Sequence, residues 1–283
     1  MDKKYVVFID IDGTLYDAKQ NCIPASSLNA LAEARKNGHK LFICTGRPFP
    51  DVNPEYFHLP IDGFIISCGA HIILNSETIY KNPIPIHTLK ELVGFMTEHN
   101  IGFSLDGLER NYLFSDAHKV FRRFECRNMN VPYTTDEAAD LLLAQNHMYP
   151  FDLCSEDDLK QITKISIFTN NTEDLNELFR HLPDELHGYI EGTQSVQHFA
   201  EITLKENSKS SGIDIILKTL NLPLENTIAI GDGNNDIDMI NYVHFGVAMG
   251  NSCEELKAHA DYITKNIDED GLAHAFRYLK LIS

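Results

Sequence analysis

The chain is short of positive charge and has no long apolar run and no paired-cysteine motif. Each shortage removes a class of function. Lysine and arginine number 24 against 41 acidic residues, so the formal charge is −17. Nonspecific binding to DNA or RNA needs a basic face that displaces counterions, so no nucleic-acid partner is expected. An anionic ligand would have to be held by local positive groups against the field of the whole chain. No apolar stretch approaches the roughly 20 residues of a membrane-spanning helix, so no membrane partner is expected. The opening MDKKYVVFIDIDGTL sets charge before apolar residues, but Asp10 and Asp12 interrupt the run and no small-residue cleavage site follows. It reads as the first strand of a cytoplasmic protein, not as a signal peptide. Cys22, Cys44, Cys68, Cys126, Cys154 and Cys253 form no C-x-x-C pair and fit no zinc-finger spacing. Reduced, partly buried thiols are expected.

What is present is enough for one large domain or two modest ones. Tyr5 to Ile9 is a β-branched and aromatic run, the mark of a strand buried on both faces. A helix is expected over Ser26 to Asn37, capped by Ser26 or Ser27, with Leu28, Leu31 and Ala32 on one face and Gly38 at its end. Lys40–Cys44 and Gly63–Ser67 read as further buried strands. This β-α-β order predicts a doubly wound parallel sheet of the Rossmann-like α/β class. After Asn82 the prolines of NPIPIH mark a linker. From His87 to about Ile190, helical stretches at 87–99, 117–126 and 172–181 alternate with strand candidates at 102–105, 111–114 and 164–169. That order suggests a smaller α+β domain inserted into the first. The first pattern returns near residue 200, with a helix over 208–220 carrying Ile213, Ile216, Leu217 and Leu220 on one face. Strands at 227–230 and 245–249 and a helix at 271–279 complete the chain.

Four short elements carry chemistry, each at a strand end or a helix start of the first domain. Ligands of open α/β sheets bind just beyond the carboxyl ends of the strands. Asp10 and Asp12 in D-I-D-G-T-L end a buried strand, a costly place for carboxylates unless they are paired or hold a cation. Alone, the element is also readable as a simple turn after a strand. In C-T-G-R, Thr45 and Gly46 can offer an O–H and backbone N–H groups to an anion, or simply end a strand. Lys209, opening the helix N-S-K-S-S-G, adds a mobile charge to an anion-favouring helix start, although most lysines are solvated surface groups. G-D-G-N-N-D, with Asp232, Asn235 and Asp236, supplies oxygen ligands suited to a hard cation, or a solvated turn. Each element is weak by itself; the order acidic pair, hydroxyl, lysine, acidic loop is far more specific.

At these residues the sequence resembles the haloacid dehalogenase-like phosphohydrolases. Their framework would cover 1–82 and 195–283. The insertion at 83–194 looks like the α/β cap of the Cof-type sugar-phosphate phosphatases, which selects the substrate. S-C-G-A-H at Ser67–His71 resembles the usual N-G-A segment, with Cys68 in place of asparagine. The resemblance implies a magnesium-dependent phosphatase of small phosphorylated metabolites. Asp10 would be the nucleophile and Asp12 the general acid and base. Thr45, Gly46, Lys209 and Asn235 would bind the phosphoryl group. Mg2+ would be held by the Asp10 carboxylate, the Asp12 main-chain carbonyl and Asp232, with Asp236 in support. A monomer is the simplest assembly, because a built-in cap closes the site. The rival readings are a sugar phosphomutase on the same scaffold, a non-catalytic phospho-acceptor module, and a 2-haloacid dehalogenase, which needs no magnesium. Asp12 argues against the phospho-acceptor, and Asp12 with Asp232 against the dehalogenase. Arg110, Tyr112, His118, Arg122 and Arg123 are the cap residues with polar or cationic reach toward a substrate, each also readable as an ordinary surface residue.

Overall fold

The computed structural model describes residues 3–114, 148–169, 172–194 and 197–283. The expected helix at 117–126, together with His118, Arg122, Arg123 and Cys126, lies outside the described residues. The chain divides into two compact units. The first comprises Met1–Arg47, Asn53–Lys81 and Asn207–Ser283, and the second Pro48–Val52 and Asn82–Glu206. The chain re-enters the first unit at Asn207, twelve residues later than the expected 195.

In chain order, the first unit begins with β1 (Val6–Ile9), α1 (Ala25–Lys36), β2 (Lys40–Cys44), β3 (Gly63–Ile66), β4 (His71–Leu74) and β5 (Glu77–Lys81). The second unit holds α2 (Ile86–Glu98), β6 (Gly102–Gly107), β7 (Asn111–Leu113), β8 (Met148–Pro150), β9 (Ile162–Thr169), α3 (Thr172–Arg180), β10 (Leu186–Gln194) and β11 (Gln197–Leu204). The first unit then resumes with α4 (Lys209–Leu220), β12 (Thr227–Gly231), α5 (Ile237–Tyr242), β13 (Phe245–Ala248), α6 (Glu254–His259), β14 (Tyr262–Ile263) and α7 (Gly271–Tyr278).

The first sheet runs β14-β13-β12-β1-β2-β3-β4-β5. From β14 to β3 every pairing is parallel, and β1 registers with both β2 and β12 along its whole length. Strand order therefore reverses between β1 and β12, which places a ligand crevice at their carboxyl ends. The expected doubly wound parallel sheet is extended at one edge, where β3, β4 and β5 pair antiparallel. Ser67 and Cys68 reverse the chain there in left-handed conformations, at φ 50° and 51°. Helix α1 also differs in detail. It begins after Pro24, neither serine caps it, and it buries Ser27, Ala30, Leu31 and Ala34 while Leu28 and Ala32 face outward. In α4, Ser208 is the cap and Ile213, Ile216 and Leu217 are buried as expected.

The second sheet runs β10-β11-β9-β6-β7-β8, antiparallel except for β7–β8. Leu186–Gln194 and Gln197–Leu204, not foreseen as strands, pair antiparallel in this sheet. Period-2 alternation sorts its two faces. Phe103, Leu105, Ile165, Ile167, Ala200 and Ile202 pack with Leu89, Leu92 and Met96 of α2 and Leu175 and Leu178 of α3. Ser104, Asp106, Lys164, Ser166, Glu201 and Thr203 occupy the alternate positions and are also buried. No described helix is long and apolar enough to cross a membrane.

Candidate active site

The backbone N–H of Asp10 donates to the Ile230 carbonyl at 3.0 Å, so the register of β1 against β12 fixes where its carboxylate emerges. The Asp10 side chain is 7% exposed. Lys209, first residue of α4 and itself buried, donates from Nζ to Asp10 Oδ1 at 2.7 Å and to Asp236 Oδ1 at 2.5 Å. Asp236 is fully committed, because its Oδ2 accepts the N–H groups of Asp232 (2.9 Å) and Gly233 (3.0 Å). Gly231 makes that approach possible, since a Cβ there would stand 2.4 Å from Asp236 Cγ. Oδ2 of Asp10 has no hydrogen-bond partner among the described residues.

Asp232 arrives from the end of β12. Its Oδ1 accepts from Thr14 Oγ1 at 3.1 Å. Its Oδ2 lies over Gly13, where a Cβ would stand only 2.1 Å away; Gly13 also has φ +81°, a conformation open to glycine. The carboxylate oxygens of Asp10, Asp232 and Asp236 lie within 4.8 Å of one another. Burial, then Asp236, raises the Asp10 carboxyl well above the usual range, and Lys209 only partly offsets this. Burial, then Asp236, pushes Asp232 up to about 7. Burial works against the Lys209 ammonium, but Asp10 and Asp236 outweigh it and hold the group above its ordinary value. The pocket thus carries more negative charge than one lysine compensates, which is the electrostatic condition a divalent cation would relieve. Asp10 and Asp232 each keep an oxygen clear of protein donors, and the donor set fits a hard, oxygen-seeking ion.

The remaining expected residues fall as follows. Thr45 is buried at the end of β2, and its Oγ1 accepts the Arg47 N–H at 3.1 Å. Gly46 and Asn235 are partly buried, in the turn after β2 and the helical turn Asn234–Asp236. The Asp12 carboxylate stands outside the acidic cluster and pairs with Arg47. Arg47 was in view as part of C-T-G-R, but nothing local in sequence links it to a residue 35 positions away. Asp238, also unforeseen, accepts the Ser210 N–H at 2.9 Å in the first turn of α4. In the second unit, Tyr112 belongs to the apolar core, and Arg110 lies 5.4 Å from the Tyr149 ring centroid. The polar network there is a different set, Asp106, Lys164 and Glu201 with Ser104 and Ser166. Its sequence signal was the alternation of polar and apolar residues along 102–107, 162–169 and 197–204.

A family model described as haloacid dehalogenase-like hydrolase matches residues 7–276. The putative phosphatase YkrA of Bacillus subtilis is 32% identical over 286 residues, covering 100% of both chains. The pyridoxal phosphate phosphatase YbhA of Escherichia coli is 28% identical, covering 98% of each. Among solved structures, the HAD subclass IIB sugar phosphatase BT4131 superposes with a TM-score of 0.78 at 29% identity, over 99% of this chain and 100% of that one. With a model match spanning nearly the whole chain and a full-length relative above 30% identity, the chain belongs to the haloacid dehalogenase-like hydrolase family and is a Cof-type phosphatase within it.

Proposed function

We propose that this protein is a magnesium-dependent phosphomonoester phosphatase of small phosphorylated metabolites, sugar phosphates among them, working through an aspartyl-phosphate on Asp10. The observation that carries the reading is the buried Asp10 carboxylate, with Lys209 on one oxygen and the other left open beside Asp232. A nucleophile needs one oxygen oriented and one available, and phosphoryl transfer needs charge neutralisation and in-line positioning above all. In the reading, Asp10 attacks phosphorus while Asp12 gives a proton to the leaving oxygen; Asp12 then takes a proton from the water that hydrolyses the intermediate. Lys209 anchors Asp10 and stands ready to offset charge on the transferring group, and Asp236 holds Lys209 in place. Thr45, the Gly46 N–H and Asn235 are assigned to the phosphoryl oxygens. Asp10, Asp232 and the Asp12 main-chain carbonyl are assigned to magnesium, which when bound supplies electrostatic stabilisation and lets two anions approach.

Relatives named for pyridoxal phosphate and for sugar phosphates support small phosphomonoesters as the substrate class. The choice among them is assigned to the inserted second unit. The test is phosphate release from a panel of phosphorylated metabolites and p-nitrophenyl phosphate, with magnesium and with EDTA, using the wild type and Asp10→Asn. Release that needs magnesium and vanishes in the variant is expected. Release that persists in Asp10→Asn would refute the mechanism.

A further inference from the structure

Asp12 is held by a fork. Nε of Arg47 donates to its Oδ2 at 2.8 Å and Nη2 to its Oδ1 at 2.5 Å. Two parallel N–H···O bonds fix a carboxylate in orientation as well as distance, which a single donor does not. Both partners are anchored through their main chains. The Arg47 N–H donates to Thr45 Oγ1 at 3.1 Å, and its carbonyl accepts from the Ser67 N–H at 2.9 Å. On the other side, Asp12 is bridged to Tyr16, whose carbonyl accepts the Gly13 N–H at 3.1 Å. The guanidinium carbon also lies 5.9 Å from the Tyr16 ring centroid.

The pair has little value for folding. The side chains are 28% and 54% exposed, and ion pairs this wet contribute little to stability while pinning a long side chain. Its value lies in what it holds. Arg47 engages the one carboxylate of the site that stands outside the Asp10–Asp232–Asp236 cluster.

We propose that Arg47 is the positioning residue for Asp12, setting the place from which that carboxyl delivers and recovers a proton. The inference rests on the reading of Asp10 and Asp12 given above. In the first step the Asp10 oxygen–phosphorus bond forms, the ester P–O bond breaks, and the Asp12 proton passes to the leaving oxygen. In the second, a water oxygen bonds to phosphorus, the aspartyl P–O bond breaks, and the water proton returns to Asp12. In this role Arg47 acts through Asp12 and is assigned no contact with phosphorus or the leaving group.

This separates substrates by leaving group. A p-nitrophenolate departs without a proton, whereas an alkoxide does not. The parameter kcat/KM reports steps only through formation of the aspartyl-phosphate, so it isolates the proton delivered to the leaving oxygen. The experiment compares wild type, Arg47→Ala and Arg47→Lys on p-nitrophenyl phosphate and on the best primary-alkyl phosphate of the panel. Arg47→Ala should lower kcat/KM at least about tenfold more for the alkyl than for the aryl substrate. Arg47→Lys, with charge but no fork, should restore part of that gap. Inhibition by inorganic phosphate should stay within about twofold of wild type. In an Asp12→Asn background, Arg47→Ala should add less than about threefold, because the residue it serves is already disabled. Equal losses on both substrates with weakened phosphate inhibition would show that Arg47 binds the phosphoryl group itself and would overturn the inference. So would a full additional loss in the Asp12→Asn background. Hydrolysis surviving Asp10→Asn would instead remove the underlying reading, and the inference with it.

Discussion

Lys209→Met tests whether the buried carboxylates depend on one cation. The ammonium sits 2.7 Å from Asp10 and 2.5 Å from Asp236, with all three side chains at most 7% exposed. Methionine fills comparable volume, so the loss is electrostatic more than steric. Breaking a buried pair by removing one partner costs about 3–5 kcal/mol, because the other charge is left uncompensated. Asp236 keeps the Asp232 and Gly233 N–H groups on its second oxygen, whereas Asp10 loses its only side-chain partner among the described residues. The penalty therefore falls on Asp10, whose carboxyl burial already raises. A carboxyl raised in the folded state costs stability as pH climbs from its unfolded value through its folded one. Lys209 also lowers the Asp232 carboxyl, which burial and Asp236 hold at about 7, so without the lysine that value rises too and the deficit grows from pH 5.5 to pH 8. Urea unfolding of both proteins in EDTA at these two pH values measures it. Lys209→Met in an Asp10→Asn background should recover at least about half of the loss, since the stranded charge is gone. A deficit under about 1 kcal/mol at pH 8, or one that grows on acidification, would refute the reasoning.

Four further outcomes follow from the same physics. Gly13→Ala forces a Cβ to within 2.1 Å of Asp232 Oδ2 at a φ of +81°; it should cost about 1–3 kcal/mol and shrink the rise in melting temperature expected of the wild type on adding magnesium, measured by differential scanning fluorimetry. Burial, then Lys81, lowers the His71 imidazole to about 4, so its contribution is present above pH 6.5 and is lost as pH falls toward 4; His71→Gln should flatten stability across that window in acid-unfolding titrations. In the second unit, Lys164→Met strands Asp106 and Glu201 and should cost about 3–5 kcal/mol by urea unfolding. Asp106→Asn should cost much less, because burial already raises that carboxyl and the amide oxygen can still accept from Ser104 or Ser166.

Strands buried on both faces were the legible part of the fold. β1 and β3 are unbroken apolar runs, β2 and β12 become so after Lys40 and Thr227, and the chain places polar residues directly where they stop, at Asp10, Thr45, Ser67 and Asp232. β5 was not legible because ETIYK lies mostly exposed and has no apolar face to signal a strand. α1 misled because Leu28 faces water while Ser27 packs inward, so polarity and burial part company along that helix. β10 and β11 were hidden by glycines and polar residues, and only β11 is placed by pairing with β9, while β10 pairs in turn with β11. Among the site residues, the meeting of Asp10, Lys209 and Asp236 was foreshadowed by motif order, but the fork joining Arg47 to Asp12 was not, because it depends on how two turns face each other.

That difference has a physical basis. Four carboxylates, Asp10, Asp12, Asp232 and Asp236, gather near two cations, Lys209 and Arg47, on a chain that carries −17 overall. A phosphate dianion entering such a pocket would be repelled unless a further positive charge were present, so the acidity of the motifs itself implies a cation. Acidity is a property of composition at a few positions and survives any error in placing the elements. Orientation is not. Which carboxylate faces the lysine, and which is turned to the arginine, follows from the register of β1 against β12 and from the turn after β2. The charge requirement of the reaction can therefore be read before the fold is known, while the division of labour proposed for Asp10 and Asp12 depends on geometry that sequence spacing alone does not encode.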